Sequence, residues 1–343
     1  MTHSPTPKKN FSRDTTYTRA LWTEAPRKLA LREAPLPPPR TGEVQVRARF
    51  SAISLGTERL VFTGKVPESE WQRMRAPFQE GEFPFPVKYG YACVGDIVAG
   101  DGLPAGTLVF TLHPHQTRFN LPAEAALPLP QGVSAERALL AANMETALNG
   151  LWDGRASPGD HITVVGGGVV GLLAAWLAAR IPATRVTIVD VNPARAEIAR
   201  RLGAGFAAPD QAAGEQDLVL HTSGNPAGLD TALALAGQEA TVLEMSWYGT
   251  APVTAHLGGG FHSRRLTLKS SQVGQVPPER RARWSYRRRL ATALSLLREP
   301  VLDALLSPAI AFDDAPGLLP AIFSGEREAL AQVIDYRDAE PQN

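Results

Sequence analysis

Three glycines, Gly166, Gly168 and Gly171, have the spacing of a loop that binds phosphate groups. An apolar run precedes them and a helical pattern follows them, so the segment is predicted to join a strand to a helix. Glycines at these positions allow a tight turn, close approach of the backbone to a pyrophosphate, and close packing of the helix on the sheet. The N–H groups that open the helix, at Val169 and Val170, are expected to bind the phosphates.

The carboxylate of Asp190 ends the next apolar run and predicts the choice of cofactor. An acid at this position accepts hydrogen bonds from a ribose diol and repels a 2′-phosphate. We therefore expect the cofactor to be NAD rather than NADP. A glycine turn without a ligand is the alternative, and it leaves the register of strand, helix and acid unexplained.

Composition and charge exclude several classes of function. The chain has 343 residues, of which 44% are hydrophobic and 20% charged, and its formal net charge is +1. This balance favours neither nucleic acid nor a membrane surface, and no apolar segment has the roughly 20 residues of a membrane span. The single cysteine, Cys93, excludes a disulfide or a cysteine-based structural zinc site within the chain. Because the polar segment 1–16 lacks the apolar core of a secretory signal, we expect a cytoplasmic protein.

The pattern of strands and helices changes along the chain. Residues 17–142 are rich in proline and in short alternating runs, which are typical of irregular β structure. Residues 143–274 alternate strands with helices such as 226–235, which predicts a doubly wound parallel sheet. In residues 275–343 helices dominate, including one predicted at 281–297, before a closing strand. The fold class is therefore predicted to be α/β, with a β-rich domain before the parallel sheet.

Three short motifs resemble those of a known superfamily. Residues 42–46 resemble an early "GEV-V" strand, residues 52–58 lie where zinc alcohol dehydrogenases have "GIC-SD", and residues 89–92 take the place of "GHE". With the late dinucleotide-binding unit, the chain resembles the medium-chain dehydrogenase/reductase superfamily over nearly its whole length. The resemblance implies a GroES-like catalytic domain, a Rossmann domain, a C-terminal return to the first domain, and a small-molecule substrate. Residues 54–58 are also similar to the bacteriochlorophyllide and threonine-dehydrogenase-like subgroup.

The positions of the catalytic zinc ligands depart from the pattern of the family. Relatives use a cysteine, the histidine of "GHE" and a third cysteine or carboxylate. This sequence has Ser54, Tyr91 and Ala142 there, and the structural zinc lobe is missing. We therefore predict no metal site and a zinc-independent enzyme that interconverts an alcohol and a carbonyl.

A side chain must then stabilise or protonate the substrate oxygen during hydride transfer. The resemblance places these candidates near the substrate cleft: Tyr91, Thr57, Glu58, His113 and His115. Tyr91 is expected to point into the former metal pocket, with Lys88 as a cation that lowers the pKa of its phenol. His113 is the preferred proton donor, because a histidine pKa suits acid–base work at neutral pH. Simple packing for Tyr91 and backbone hydrogen bonds for the histidines are the alternatives.

The resemblance also implies further contacts with the cofactor. Arg195 is expected beside the adenine, and Thr146 behind the nicotinamide ring. Three segments that follow strands are expected to contact the cofactor: Ser223 and Gly224, Ser246 and Trp247, and Gln272 and Val273. Ordinary packing at a strand end is the alternative for Trp247.

Two features of the sequence leave several interpretations open. A basic run contains these residues beside Trp284 and Tyr286: Arg280, Arg281, Arg283, Arg287, Arg288 and Arg289. It fits an anionic substrate, a nucleic acid, or a solvated helix face, and the near-neutral net charge argues against nucleic acid. The apolar insertion 67–85 is either a wall of the cleft or a surface excursion that packs on its own domain.

The predicted strand 266–270 is expected at the edge of the parallel sheet. An unpaired apolar edge is a liability in a monomer, so we expect a homodimer. Two other functions remain open: reduction of an activated carbon–carbon double bond, and dinucleotide binding without turnover. The first usually employs NADPH in the resembled family, so Asp190 argues against it.

Overall fold

The computed structural model describes residues 16–339. The predicted polar N-terminal tail lies almost entirely outside these residues. Within them the chain has the predicted α/β fold, in which a strand-rich domain is followed by a parallel Rossmann sheet. No helix of the described range is long and apolar enough to cross a membrane.

The elements are numbered in chain order. The strands are β1 Thr16–Ala25, β2 Lys28–Leu36, β3 Glu43–Ile53, β4 Glu80–Gly81, β5 Val87–Lys88, β6 Cys93–Gly100, β7 Leu108–Thr111, β8 Arg118–Pro122, β9 Leu127–Pro128, β10 His161–Val165, β11 Arg185–Val189, β12 Gly205–Ala207, β13 Gln216–His221, β14 Ala236–Glu244, β15 Thr267–Ser270, β16 Leu306–Ala311 and β17 Ala331–Asp335. The helices are α1 Leu55–Phe62, α2 Ala135–Ala138, α3 Ala141–Gly154, α4 Val169–Ala178, α5 Arg195–Arg201, α6 Pro226–Leu235, α7 Pro278–Arg281, α8 Tyr286–Leu296 and α9 Ala315–Ser324.

The Rossmann sheet has the strand order β12-β11-β10-β13-β14-β15, with all pairs parallel. Its central strands are near-continuous apolar runs because helices cover both faces, and Ile162 and Val164 are fully buried. The strand order reverses between β10 and β13, and the carboxyl ends of the strands at such a point form a crevice for ligands. The glycine-rich loop and Asp190 both follow strands that end at this crevice.

The second large sheet joins the two ends of the described chain. Its order is β16-β17-β3-β6-β7-β9, with β8 also paired to β3. Strand β17 runs antiparallel to β3 and pairs Val333 with Ala52. A smaller sheet has the strand order β2-β1-β5-β4, and its strand β4 belongs to the insertion 67–85. The C-terminal segment therefore returns to the first sheet, while the exact boundaries predicted at residues 142 and 274 stay predictions.

One hydrophobic cluster connects the two parts of the molecule. It extends from Phe50 and Val94 of the strand-rich part, through α3, to Ile162 and Leu172 of the Rossmann part. Helix α8 packs on α3 through Leu290 and its apolar neighbours. Because α3 contacts both parts, side chains on this helix are well placed to line the cleft between them.

Candidate active site and cofactor cleft

The glycine-rich loop connects β10 to α4 as the sequence predicts. Gly166 has a φ of +111°, and a Cβ there would lie 2.6 Å from the backbone nitrogen of Ser223. A Cβ on Gly171 would lie 2.0 Å from the carbonyl oxygen of Gly166, so neither position accepts a side chain. At Gly168 the same point has no described atom within 4 Å beyond its chain neighbours. This open space faces the first turn of α4, whose N–H groups lack intrahelical partners.

The Asp190 carboxylate is fixed against this loop by two backbone donors. Its Oδ2 accepts the N–H of Gly167 at 2.6 Å, and its Oδ1 accepts the N–H of Asn192 at 2.7 Å. A carboxylate oxygen has a further lone pair beyond each of these bonds. The arrangement therefore orients Asp190 and leaves acceptor capacity for the hydroxyls of a ribose.

Arg195 lies beside Asp190 at the same end of the crevice. Its Nη2 is 2.7 Å from a carboxylate oxygen of Glu328, and the same oxygen accepts a 2.9 Å hydrogen bond from the side chain of Asn192. Glu328 lies between α9 and β17, so it reaches this loop from the C-terminal segment. The single sequence contains no pattern that would have placed Glu328 here.

A polar network joins the ends of β13 and β14. His221 is fully buried, with its Nδ1 2.7 Å from Glu244 Oε2 and its Nε2 2.7 Å from Ser223 Oγ. Tyr248 donates a 2.9 Å hydrogen bond to Glu244, whose other oxygen accepts the N–H of Ser246 at 2.7 Å. Burial favours the neutral acid, but the hydrogen bond and charge of His221 outweigh it, so the pKa of Glu244 is lowered. The network therefore orients Ser223 and Ser246 at the edge of the crevice.

Ser54 and Thr57 lie beside the phenol of Tyr91 in a polar cluster, and their hydroxyls act against the rise in its pKa. The side chain is partly buried and packs edge-on against Tyr89, with ring centroids 6.0 Å apart. Burial, followed by the negative charge of Glu58, raises the pKa of Tyr91 to about 12. The phenol therefore stays protonated at neutral pH and carries a proton that it can donate.

The expected effect of Lys88 on Tyr91 is wrong. Lys88 is buried, and its Nζ donates 2.5 Å hydrogen bonds to Glu80 and to Gln116. Its charge is therefore directed at these two partners, and the pKa of Tyr91 is raised rather than lowered.

The preference for His113 as the proton donor is also corrected. Its ring is buried and stacks on Phe119, with centroids 3.5 Å apart and planes 7° from parallel. Its Nδ1 lies 2.9 Å from the carbonyl oxygen of Pro114. Burial, and then the positive charge of Lys88, lower the pKa of His113 well below its usual value. The structure thus supports the alternative in which His113 packs and bonds to the backbone.

His115 and Glu58 form a buried pair behind the cleft. His115 Nε2 is 2.9 Å from Glu58 Oε2, and its Nδ1 is 2.8 Å from Ser51 Oγ, which also contacts the hydroxyl of Tyr336. The other oxygen of Glu58 accepts the N–H of Ser54 at 2.7 Å. Glu58 therefore fixes the start of α1, and the pair is a framework for the polar cluster.

The three side chains at the metal positions of the resembled family do not fit zinc. A serine hydroxyl and a phenol with a raised pKa are poor zinc ligands, and alanine has no donor. Ser54 Oγ instead donates a 3.2 Å hydrogen bond to Asn143 of α3. Across residues 16–339, no group of three or more His, Cys, Asp or Glu side chains is placed to hold a metal ion.

One arginine of the basic run, Arg289, is buried against α3. Arg289 Nε donates to Glu145 Oε1 at 2.9 Å, and its other nitrogens donate to Asn149 and to the carbonyl oxygen of Val273. Glu145 precedes the predicted cofactor contact Thr146 on α3. Arg289 therefore connects α3 to the segment at Val273, and both of these segments are predicted to contact nicotinamide. Its side chain is not part of a solvated surface.

The other arginines of the run are exposed, as the helix-face interpretation expects. Arg280 lies over the ring of Trp152 and Arg288 over that of Trp284, at 5.0 Å and 4.0 Å from the ring centroids. The two tryptophans pack together, with centroids 4.7 Å apart. Two of these exposed guanidinium groups therefore interact favourably with the faces of indole rings.

The insertion 67–85 both packs on its own domain and borders the cleft. Phe83 belongs to a hydrophobic cluster that also contacts Tyr91 and Trp247. Met74 approaches Gln272, with 3.9 Å between its sulfur and the amide nitrogen. The insertion therefore reaches the Rossmann loops that are predicted to contact nicotinamide.

Comparisons with known proteins agree with this fold. The family model described as alanine dehydrogenase/PNT, C-terminal domain matches residues 135–240, which include the glycine-rich loop and Asp190. The chain is 27% identical over 330 residues to D-guloside 3-dehydrogenase of Escherichia coli K12, covering 87% of this chain and 94% of the relative.

Solved structures resemble the whole molecule. A putative zinc-binding dehydrogenase of Sinorhizobium meliloti, bound to NADP, has a TM-score of 0.73 at 18% identity and covers 93% of this chain and 99% of its own. An alcohol dehydrogenase of E. coli CFT073, complexed with NADH, has a TM-score of 0.72 at 16% identity with the same coverage. The similarity to D-guloside 3-dehydrogenase supports an oxidoreductase of the dehydrogenase type, and the two solved structures share the fold of this chain.

Proposed function

We propose that this chain is an NAD(H)-dependent, zinc-independent dehydrogenase that interconverts a secondary alcohol and a ketone in a polyhydroxylated small molecule. The observation that carries the proposal is the pairing of two sites in one cleft. Asp190 is fixed at the phosphate loop, and the protonated phenol of Tyr91 replaces a metal ligand. The sugar-derivative name of the D-guloside 3-dehydrogenase relative supports the substrate class.

The Rossmann residues hold the cofactor in this proposal. The loop 166–171 and the start of α4 bind the pyrophosphate, and Asp190 accepts hydrogen bonds from the adenosine ribose. Ser223 and Ser246, oriented by the His221–Glu244 network, border the middle of the cofactor. When bound, NAD supplies the hydride acceptor at its nicotinamide ring.

Tyr91 stabilises the substrate oxygen. Charge changes on this oxygen as the hydride moves, and a donor aimed at it favours the transition state over the ground state. Ser54 and Thr57 flank the phenol, and the hydrogen bond from Ser54 to Asn143 connects this cluster to α3. Since the pKa of Tyr91 is raised to about 12, the phenol donates at neutral pH and does not act as a base.

The test combines cofactor turnover with metal content. The purified protein is assayed with NAD against a panel of polyols and sugar derivatives, before and after chelation, and its zinc is measured by elemental analysis. We expect turnover that survives chelation, with far less than one zinc per chain. Stoichiometric zinc whose removal abolishes turnover would overturn the zinc-independent proposal. Reduction of enones alone, or NADH binding without any hydride exchange, would favour one of the two other functions.

A further inference from the structure

A carboxylate from the C-terminal segment lies at the adenosine end of the crevice. One oxygen of Glu328 contacts both Arg195, at 2.7 Å, and the side-chain amide of Asn192, at 2.9 Å. Both partners follow Asp190 in the loop after β11 and at the start of α5. Glu328 therefore acts on the loop that faces the ribose, although it is distant in sequence.

Arg195 is placed where it would otherwise attract a phosphate. Its Cγ and Cβ lie 3.0 Å and 3.2 Å from the point that a Cβ on Gly167 would occupy, and Asp190 Oδ2 is 3.1 Å from the same point. The arginine and the aspartate thus flank one glycine of the phosphate loop. A guanidinium group binds phosphate with paired hydrogen bonds, and an arginine near this position accommodates the 2′-phosphate of NADP. An unpaired Arg195 would therefore weaken the discrimination provided by Asp190.

We propose that Glu328 is a specificity-determining residue that excludes NADP by occupying Arg195. Its carboxylate engages the guanidinium and leaves one excess negative charge in the group formed with Asp190. A 2′-phosphate then meets net repulsion, and it must also displace Glu328 to reach the arginine. This inference rests on the proposed function and deepens its choice of NAD.

Similar folds hold either cofactor, so local residues must decide between them. The S. meliloti structure is bound to NADP and the E. coli CFT073 structure to NADH, at nearly equal TM-scores of 0.73 and 0.72. The Glu328 side chain is 58% exposed, whereas that of Arg195 is 14% exposed. A half-exposed ion pair contributes little to folding stability, so a substitution of Glu328 should leave the stability of the chain nearly unchanged.

The test measures dissociation constants of NADH and NADPH on the full-length chain. Glu328→Gln keeps the size of the side chain and removes its charge. We expect NADPH to bind about tenfold more tightly, equivalent to about 1.4 kcal/mol, and NADH to change by less than about twofold. Adding Arg195→Gln to this variant should abolish the gain, because the freed guanidinium is the group that binds the phosphate.

Glu326→Gln is the matched control, because it removes the same charge from the same exposed segment. An unchanged NADPH to NADH ratio in Glu328→Gln, or an equal change in Glu326→Gln, overturns the inference. Equal binding of both cofactors by the wild-type chain refutes the choice of NAD in the proposed function. The experiment still tests the role of Glu328 in that case, because this role is measured by the change in the NADPH to NADH affinity ratio between the wild-type chain and Glu328→Gln.

Discussion

The two ends of the proposed cofactor cleft are built in different ways. At the adenosine end, the contacts between Asp190 and Gly167 lie within one strand–helix–strand unit. At the proposed catalytic end, Tyr91 lies beside Ser54, whose hydroxyl donates to Asn143 of α3. A local motif specifies the first end, whereas the second exists only after the two parts of the molecule have packed together. Substitutions should therefore separate cofactor binding from turnover.

The largest expected effect is on turnover at the catalytic end. Tyr91→Phe removes the hydrogen-bond donor to the substrate oxygen, so kcat should fall about 10²–10³-fold. NADH affinity should stay within about twofold, since Tyr91 does not contact the phosphate loop. Steady-state kinetics on the substrate found by the panel, together with fluorescence titration of NADH, measure both values.

Tyr89→Phe is the control for Tyr91→Phe, because the Tyr89 hydroxyl donates to the carbonyl oxygen of Met74, outside the polar cluster. It should retain most of the turnover. Since the pKa of Tyr91 is raised to about 12, its ionisation should not reduce turnover below about pH 11. A loss near pH 10 that is absent from Tyr91→Phe, or wild-type turnover in that variant, would contradict the assigned role.

The second effect is on stability, behind the catalytic end. His115→Ala leaves the buried Glu58 Oε2 without this partner, whereas Ser51 keeps its contact with Tyr336, so the free energy of unfolding should fall by roughly 1–3 kcal/mol. Urea denaturation measures the change, with His262→Ala as an exposed control. A variant of unchanged stability and abolished turnover would instead return His115 to the list of catalytic candidates.

The third effect is at the adenosine end and concerns selectivity. Asp190→Ser removes the carboxylate that repels a 2′-phosphate, so the ratio of NADH affinity to NADPH affinity should fall by about tenfold. Turnover at saturating NAD should be largely retained. Calorimetric titration of both cofactors tests this, with the exposed Asp210→Ser as the control. An unaltered preference would show that Asp190 does not set the choice.

The smallest effect lies outside the cleft, at the edge of the Rossmann sheet. Strand β15 pairs with β14 on one side, its other edge is unpaired within residues 16–339, and Leu268 is 38% exposed. We expect a homodimer through this edge, and Leu268→Lys should shift it toward monomer. Light scattering at micromolar concentration measures the mass, and a monomeric wild-type chain would rule out the prediction.

Local signals made much of the Rossmann part predictable. The helix predicted at 226–235 matches α6 at both ends, because Asn225 caps it and a proline occupies its first turn. The single helix predicted at 281–297 is instead divided into α7 and α8. Ser285 Oγ accepts the N–H of Arg288 and so starts a new helix.

The catalytic part was less predictable because its chemistry depends on contacts distant in sequence. The resemblance placed Tyr91 and Thr57 near the substrate cleft, and these roles stay predictions. A histidine beside a strand end has the same appearance in the sequence whether it faces a cleft or a core. His113 faces the core because it stacks on Phe119 of another strand. The network of His221 and Glu244 was open to prediction, since each ends one of two adjacent parallel strands.

The return of the chain to its first sheet has a consequence for synthesis on the ribosome. Strand β17 supplies the partner of one edge of β3, so the strand-rich sheet stays incomplete until residues 331–335 have emerged. The Rossmann sheet already has all its strands once β15 has emerged. Domains generally fold as units while the chain is being made. The nascent chain should therefore complete its Rossmann sheet before its strand-rich sheet, and binding of the proposed cofactor would stabilise that early part.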